Sequence, residues 1–342
     1  MKAVVYYDFN DFRWEEVETP RIGPDEVLVK IRACGLCSTD VWKAMYHEAK
    51  PGSVLGHEAS GEVVETGSSV VSLRVGDRVA VYHRAECGAC YYCKHGQETL
   101  CNQYRQQSIF PGAFAEYIRV APRLVQKSII KIPNEMTYEE ATLIEPTACC
   151  VRAVSKCRVS SDDSVLIIGD GPLGLLNAQV SKSMGASIVI LSGHHDPRVE
   201  AAKRFGADYA FNSKKTSVKE RVMELTEKRG ADVVIVAVAS TEAVQKSIDL
   251  VRDGGRICVF GDFRDVPQPN LSLDLKPIVH NSVSLLGSWG CSTQDYYAAF
   301  NLMKTGRIRV REMITHRFTL NRFIEALKVF LSKNCIKIVF NP

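Results

Sequence analysis

Four cysteines stand close together in the first third of the chain, at Cys87, Cys90, Cys93 and Cys101. Their spacing, C-x2-C-x2-C-x7-C, lets one loop bring four thiolates around a single ion. Zinc binds four sulfurs at about 2.3 Å in a tetrahedron, and a site closed in this way is structural, not catalytic. The spacing therefore predicts a structural zinc in a lobe formed by residues 86–102.

Two other interpretations of the four cysteines are less consistent with the sequence. Buried free cysteines do not usually recur at three-residue spacing. A zinc knuckle that binds nucleic acid would need basic and aromatic neighbours. The chain has a net charge of only +4 and no run of five or six like charges, so we expect no nucleic-acid partner.

A second set of metal-binding residue types lies outside this lobe. Cys37 stands in G-L-C-S-T-D (35–40), while His57 and Glu58 stand in the glycine-bounded turn G-H-E-A-S-G (56–61). Glu145, which precedes a proline, is a further candidate. A catalytic zinc takes three protein ligands and keeps one position open. The mixed ligand types predict an open site of this kind.

A glycine-rich turn lies between a strand-like and a helix-like segment in the middle of the chain. Its residues are Gly169, Asp170, Gly171, Pro172, Leu173 and Gly174. In G-x-G-x-x-G the first glycine allows a tight turn, the second admits a pyrophosphate, and the third lets helix and strand pack closely. The N–H groups at the helix start can then bind phosphates. A turn without a ligand is the alternative, but the flanking elements favour a dinucleotide site.

The residue that follows the next strand bears on which dinucleotide binds. An NAD site usually places Asp or Glu there, to bind the ribose 2′-hydroxyl. Spacing puts Gly193 at this position. A 2′-phosphate would then meet no carboxylate, and the cationic or hydrogen-bonding side chains of His194, His195 and Arg198 could donate to it. We therefore favour NADP; the alternative is that Asp196 or backbone groups bind the ribose and NAD is used.

The elements that must position these residues follow two different patterns. The first 120 residues contain short alternating runs separated by glycine turns, which predicts a compact, barrel-like β domain. From about residue 160, strands alternate with helices, which predicts a parallel sheet. The predicted strands are 165–168, 188–191, 232–238, 256–260 and 336–340. The predicted helices are 173–184, 197–205, 219–228, 241–251, 296–303 and 323–331, with Asp196 capping the second and Gly206 ending it.

Length and composition set the remaining bounds. A chain of 342 residues exceeds what one hydrophobic core usually organises, so two domains are expected. The amino terminus lacks the apolar core of a signal peptide, and the apolar runs are too short to span a bilayer. Twelve cysteines with clustered spacing and no secretory signal indicate metal binding in a reducing compartment. We expect a cytoplasmic protein with no membrane partner.

Together these motifs resemble those of the zinc-dependent alcohol dehydrogenases of the medium-chain dehydrogenase/reductase superfamily. The resemblance runs nearly end to end and includes V-G-D-R-V (75–79), G-A-F-A-E-Y (112–117) and E-P (145–146). It is strongest with the polyol (sorbitol) and L-threonine dehydrogenase branch. It implies a GroES-like catalytic domain from residues 1–150 and 290–342, a Rossmann domain from residues 151–289, and a homodimer or homotetramer.

The resemblance also implies roles for individual residues. Cys37, His57 and either Glu58 or Glu145 would hold a catalytic zinc, giving one catalytic and one structural zinc per chain. Thr39 matches the hydroxyl that begins the family's proton relay. Many relatives end that relay with a histidine five residues after the ligand cysteine, where this chain has Trp42. Water, a substrate hydroxyl or His47 could then accept the proton.

The implied reaction transfers a hydride between a secondary alcohol and NAD(P). The substrate would be a small molecule: a polyol, sugar acid, cyclitol or amino alcohol. One alternative is a zinc-dependent NADPH aldehyde or ketone reductase, because the same residues catalyse both directions. The other is a binding protein that kept the fold and lost catalysis, against which the intact Cys37, Thr39, His57 and Glu58 argue.

Overall fold

The computed structural model describes residues 1–263, 266 and 269–342. The chain divides into two compact units. Unit 1 comprises Met1–Glu145, Cys291–Lys304 and Val310–Pro342, and unit 2 comprises Pro146–Gly290 and Thr305–Arg309. The predicted ranges, 1–150 with 290–342 and 151–289, differ from these mainly in the short segment Thr305–Arg309.

The described elements follow in chain order. The strands are β1 (Lys2–Asp8), β2 (Asp11–Glu16), β3 (Val27–Gly35), β4 (Ser53–Val54), β5 (Glu58–Thr66), β6 (Arg78–Tyr82), β7 (Ile109–Phe110), β8 (Tyr117–Val120), β9 (Ile129–Lys131), β10 (Ser164–Ile168), β11 (Ile188–Gly193), β12 (Tyr209–Asn212), β13 (Ala231–Val236), β14 (Val251–Val259), β15 (Ser284–Gly287), β16 (Ile314–Thr319) and β17 (Lys337–Asn341). The α-helices are α1 (Ser38–Met45), α2 (Tyr91–Lys94), α3 (Pro122–Lys127), α4 (Tyr138–Ala141), α5 (Ile144–Lys156), α6 (Pro172–Ser183), α7 (Asp196–Ala202), α8 (Val218–Leu225), α9 (Thr241–Ser247), α10 (Leu275–His280), α11 (Thr293–Lys304) and α12 (Phe323–Leu331).

Unit 1 is built on a largely antiparallel sheet. Its main path runs β16-β17-β3-β5-β6-β9, with β8 pairing β3 and β7 pairing β8, and a smaller sheet has the order β2-β1-β4. In β3, Val27, Val29 and Ile31 are buried while Arg32 is exposed, as the alternation of apolar and polar residues predicts. These side chains join the main hydrophobic core of the unit. The predicted β-rich domain is confirmed.

Unit 2 contains a six-stranded parallel sheet. The strand order is β12-β11-β10-β13-β14-β15, and each pairing is parallel. Strand β13 is buried along its whole length, as expected when helices cover both faces of a parallel sheet. The order reverses direction between β10 and β13, which is the place where ligands bind in doubly wound sheets. The predicted α/β fold class is confirmed.

Two local predictions in unit 2 are wrong in detail. Asp196 is the first residue of α7, not its cap, and its carboxylate instead accepts hydrogen bonds from Asn212 and Lys215. Helix α9 ends at Ser247, four residues before the predicted end at residue 251, where β14 begins. Gly206 ends the segment that follows α7 with a φ of +88°, as predicted.

None of the helices among the described residues combines the length and the apolar character needed to cross a bilayer.

Candidate metal and cofactor sites

The four-cysteine lobe brings its sulfurs into one cluster. The Sγ atoms of Cys87, Cys90, Cys93 and Cys101 all lie within 4.8 Å of one another. Cys93 Sγ lies 3.9 Å from Cys87 Sγ and 3.5 Å from Cys90 Sγ. A tetrahedron with zinc–sulfur bonds of about 2.3 Å has edges of about 3.8 Å. The cluster therefore fits a zinc ion.

Backbone N–H groups around the lobe favour thiolates. The amides of Ala89 and Cys90 donate to Cys87 Sγ at 3.4 and 3.3 Å. These hydrogen bonds lower the pKa of Cys87 to about 6. The amide of Cys87 donates in turn to Cys101 Sγ. Zinc binds the deprotonated form of a cysteine, and the lowered pKa of Cys87 favours that form.

The second cluster contains Cys37, His57 and Glu58. Cys37 follows β3 and caps the first turn of α1, while His57 immediately precedes β5, which begins at Glu58. One ligand atom from each of the three lies within 4.8 Å of the others. The antiparallel pairing of β3 with β5 places Gly35 opposite Glu58 and so brings the two segments together.

Asp40 supports this cluster through hydrogen bonds. Its carboxylate, only 2% exposed, accepts a hydrogen bond from His57 Nδ1 at 3.1 Å and others from the amides of Gly56 and Cys37. The Nδ1 atom is thereby occupied, which leaves Nε2 as the metal-binding nitrogen. Asp40 was not predicted from the sequence as a site residue, although its position in the G-L-C-S-T-D motif could have indicated this role.

The electrostatics of the cluster favour a cation. Burial lowers the pKa of His57, but the charge of Asp40 and hydrogen bonds with Asp40 and Cys37 outweigh it and hold that pKa well above its ordinary value. Burial likewise raises the pKa of Asp40, but His57 outweighs it and the net direction is downward. Sulfur, imidazole and carboxylate ligands with this preference for positive charge fit a zinc ion.

Glu58 has a cationic partner of its own. Lys337 Nζ, on β17, lies 2.6 Å from Oε1 and 2.5 Å from Oε2 of Glu58, and it also donates to the carbonyl of Leu36 at 3.0 Å. Both side chains are almost fully buried. A Cβ atom at residue 35 would lie 1.9 Å from Glu58 Oε2, so only Gly35 leaves room for the pair.

Burial lowers the pKa of Lys337, but the charges of Glu58 and Cys37 outweigh it, so the net shift is upward. Glu145 adds to that shift, which places its charge near the same ammonium group. Glu145 is buried in the first turn of α5, but it lies outside the cluster that the described residues form around Cys37. Both carboxylates therefore remain candidates for the third ligand.

The candidates for the proton path have different environments. Thr39 is half-buried in the first turn of α1, and Trp42 lies half-buried one turn further along. His47 is highly exposed, with its Nδ1 atom 3.4 Å from Asp8. Thr39 lies in the helical turn that Cys37 caps, whereas His47 lies at the surface.

His83 is a residue near the cluster that sequence reasoning missed. Its ring centroid lies 4.8 Å from that of His57. Burial and the charge of His57 lower the pKa of His83 well below its ordinary value, so the ring is neutral. A single histidine after strand β6 carries no spacing signal, which explains why the sequence did not identify it.

The glycine-rich turn in unit 2 has the geometry of a ligand cradle. Gly169 has a φ of +125° and Gly171 caps α6, which begins at Pro172 and continues through Leu173. A Cβ at Gly174 would lie 2.0 Å from the carbonyl oxygen of Gly169, whereas one at Gly171 would meet no atom within 4 Å. The space beside Gly171 and the exposed helix start fit a pyrophosphate.

A carboxylate of the glycine-rich turn contacts the segment that follows β11, which the sequence did not predict. Asp170 Oδ2 accepts hydrogen bonds of 2.7 Å from the amides of His194 and His195. The ring of His195 lies 3.1 Å from the same carboxylate, and Arg198 lies 3.8 Å from it. A Cβ at Gly193 would lie 2.5 Å from the Cβ of Asp170. Two of the three side chains expected to bind a 2′-phosphate, those of His195 and Arg198, thus face an acid.

Two family models match the chain. Residues 23–134 match the alcohol dehydrogenase GroES-like domain, and residues 172–305 match the zinc-binding dehydrogenase domain. The first range contains both cysteine-containing clusters, and the second begins inside the glycine-rich turn and contains its last three residues, Pro172, Leu173 and Gly174.

Individual relatives extend over nearly the full length. The chain is 33% identical to a sorbitol dehydrogenase from Halalkalibacterium halodurans over 352 aligned residues, covering 100% of this chain and 99% of the relative. It is 34% identical to an L-threonine 3-dehydrogenase from Pyrococcus abyssi, covering 95% and 93%. Among solved structures, an alcohol dehydrogenase from Thermus sp. ATN1 superimposes with a TM-score of 0.89 at 26% identity, covering 100% and 99%.

Proposed function

We propose a function for this chain, which belongs to the zinc-dependent alcohol dehydrogenases of the medium-chain dehydrogenase/reductase superfamily. It oxidises the secondary alcohol of a polyol, sugar acid, cyclitol or amino alcohol to a ketone. Membership of the family makes it an oxidoreductase that uses zinc and NAD(P) and acts on small-molecule alcohols. The relatives named for sorbitol and for L-threonine support the substrate class, since both compounds carry a secondary hydroxyl beside other polar groups.

Each unit has its own part in this proposal. Unit 1 acts as the catalytic domain and unit 2 as the dinucleotide-binding domain. Cys37 and His57, with either Glu58 or Glu145, would hold the catalytic zinc, and the lobe of residues 86–102 would hold the structural one. When bound, zinc supplies Lewis-acid polarisation of the alcohol oxygen, and NAD(P) accepts the hydride.

The protein groups around the cluster orient it and move the proton. Asp40 fixes the tautomer of His57 through the 3.1 Å hydrogen bond to Nδ1. Lys337 offsets the charge of the buried Glu58. The hydroxyl of Thr39 accepts the alcohol proton and passes it outward to water, a further substrate hydroxyl or His47. The exposed position of His47 is consistent with the last step of such a path.

The observation that carries the proposal is the convergence of Cys37, His57 and Glu58 with Asp40 behind them. The test measures zinc content and then assays a panel of polyols, sugar acids and amino alcohols with NAD and with NADP, following absorbance of the reduced nicotinamide. Two zincs per chain and turnover of a secondary alcohol are expected. Turnover only of aldehydes or ketones with NADPH would favour a reductase, and one zinc without turnover would contradict the proposal.

We further propose a homodimer or homotetramer that works in the cytoplasm. Strand β15 is an edge of the parallel sheet, with no partner on its outer side among the described residues. Leu285 on this strand and Leu275 and Val279 on α10 are exposed, and such apolar edges favour pairing with another chain. All twelve cysteines lack disulfide bonds, which suits a reducing compartment.

A further inference from the structure

Asp170 occupies the space that a side chain at the end of β11 would normally fill. In dinucleotide-binding folds, the residue about 20 positions beyond the glycine motif supplies the carboxylate that recognises the adenosine ribose. Here that residue is Gly193, and its missing Cβ would lie 2.5 Å from Asp170 Cβ and 2.6 Å from Asp170 Oδ2. A side chain at 193 and the carboxylate of Asp170 therefore exclude each other.

We infer that Asp170 replaces the missing acid and makes the protein select NAD over NADP. This inference rests on the proposed function, because it concerns the cofactor of the same site. The acid comes from the glycine-rich turn instead of from the strand, but it reaches the same end of β11. It is thus a specificity-determining residue that recognises the diol of the ribose and repels a 2′-phosphate.

The contacts of Asp170 hold the carboxylate in place for this role. The amides of His194 and His195 both donate to Oδ2, which fixes the orientation of the group. A carboxylate has about four acceptor positions, so Oδ1, which faces the ring of His195 and Arg198, retains capacity for a ribose hydroxyl. The side chain is only 7% exposed, and a charge shielded from water acts strongly on a nearby phosphate dianion.

The cationic groups nearby do not reverse this preference. Arg198 is 12% exposed and lies 3.8 Å from Asp170 Oδ1, so its charge is directed at the acid. The ring of His195 is also directed at the acid, at 3.1 Å from both oxygens. A 2′-phosphate would have to compete with Asp170 for both groups, whereas a ribose hydroxyl requires neither.

The test is equilibrium binding of NADH and NADPH to the zinc-loaded protein, followed by nicotinamide fluorescence without substrate. The wild type should bind NADH about 100-fold more tightly than NADPH. Asp170→Asn keeps an oxygen acceptor for the two amides but removes the charge, so it should reduce that ratio to below about tenfold. Circular dichroism and thermal melting verify that the variant folds, and Asp170→Ser provides a second, smaller uncharged replacement.

Asp196→Asn is the matched control, because Asp196 stands two positions before Arg198 but pairs with Lys215 and Asn212. The control should keep the wild-type ratio. Tighter binding of NADPH by the wild type, an unchanged ratio in both Asp170 variants, or a shift in Asp196→Asn alone would overturn the inference. Failure of the wild type to bind either nucleotide would instead contradict the proposed function.

Discussion

At the residue scale, the buried acids of the metal cluster depend on cationic partners. Asp40 is paired with His57 at 3.1 Å and Glu58 with Lys337 at 2.6 Å. A buried charge that loses its partner is strongly destabilising, whereas an intact buried pair contributes little net stability. These partners therefore serve mainly to hold the acids in position beside Cys37.

Replacement of Cys37 by Ser should abolish turnover, with kcat reduced by at least about 1,000-fold, because the cluster loses its thiolate ligand. Binding of NADH, measured by fluorescence, should remain within about threefold of the wild type because the glycine-rich turn belongs to unit 2. Cys34→Ser is the matched control, since Cys34 is buried on β3 but lies outside the cluster. Retained turnover in Cys37→Ser would contradict the assignment.

Replacement of Lys337 by Met should lower the free energy of unfolding by about 3–5 kcal/mol, because Glu58 would be left as an unpaired buried charge. Urea unfolding monitored by circular dichroism measures the loss. Lys215→Met breaks an exposed pair with Asp196 and should change stability far less. Equal effects of the two substitutions would show that Glu58 does not need Lys337.

The sequence predicted the residues of the cluster better than it predicted the residues that hold them in position. Cys37, His57 and Glu58 stand in short glycine-bounded motifs, so their types and spacing carry information. Lys337 is separated from Glu58 by 279 positions, and a lysine in a terminal strand has no local feature that marks it as buried. Asp170 was recognised only as part of the glycine motif, because its contact with Gly193 depends on how β10 and β11 pair.

At the scale of elements, buried polar contacts tie the parallel strands together. Asp232 at the start of β13 accepts hydrogen bonds from the amide and hydroxyl of Ser164 on β10, at 2.8 and 2.7 Å, and from Arg252 on β14 at 2.5 Å. Three neighbouring strands are thus joined at one end of the sheet. The βα alternation predicted these strands, but single-residue patterns could not show which acid would join them.

Asp232 should make the stability of the protein sensitive to acid. Burial raises the pKa of Asp232, but hydrogen bonds from Ser164 and Arg252 outweigh it, so the folded-state pKa is lowered. This contribution is present above the unfolded pKa and is lost as the pH falls through the folded value. Asp232→Asn should be less stable than the wild type at pH 7, and the difference should shrink below about pH 4.

Urea unfolding of both proteins between pH 7 and pH 3 measures that difference. Asp249→Asn, an exposed acid between α9 and β14, provides the control and should unfold like the wild type throughout. A gap between wild type and Asp232→Asn that stays constant down to pH 3 would contradict the role assigned to Asp232.

The cysteine lobe should behave as an element that a metal stabilises. Cys93→Ser should reduce the zinc content from two ions to one per chain and lower the Tm by roughly 5–15 °C, because the closed site loses a ligand. Mass spectrometry of the metal and differential scanning calorimetry measure the two effects. Two zincs retained at an unchanged Tm would show that the four sulfurs are not a metal site.

At the scale of the whole molecule, the two edges of the parallel sheet differ in sequence context. Strand β15, which carries the exposed Leu285 and follows α10 in the chain, forms one edge, whereas β12 forms the other. Unsatisfied backbone groups on an apolar edge favour association. The two-domain architecture followed from chain length and pattern, but which edge remains unpaired depends on the order of the strands in space.

Leu285→Lys should dissociate the proposed oligomer, because a charge on the apolar edge opposes strand pairing. Size-exclusion chromatography with light scattering should show a fall in mass to that of one 38.0 kDa chain. Tyr209→Lys on the opposite edge, where Tyr209 is also exposed, should leave the mass unchanged. An oligomer that survives the first change but not the second would place the interface at β12.

The close approach of Gly193 to Asp170 also constrains how a protein with the acid in the glycine-rich turn could evolve into one with the acid at the end of the strand, or the reverse. An ancestor changing one codon at a time would pass through a protein with two crowded side chains or one with no acid at all. The crowded intermediate strains the turn, so the viable route runs through the acid-free form. Directed evolution aimed at altering coenzyme choice should therefore mutate both codons in the same library.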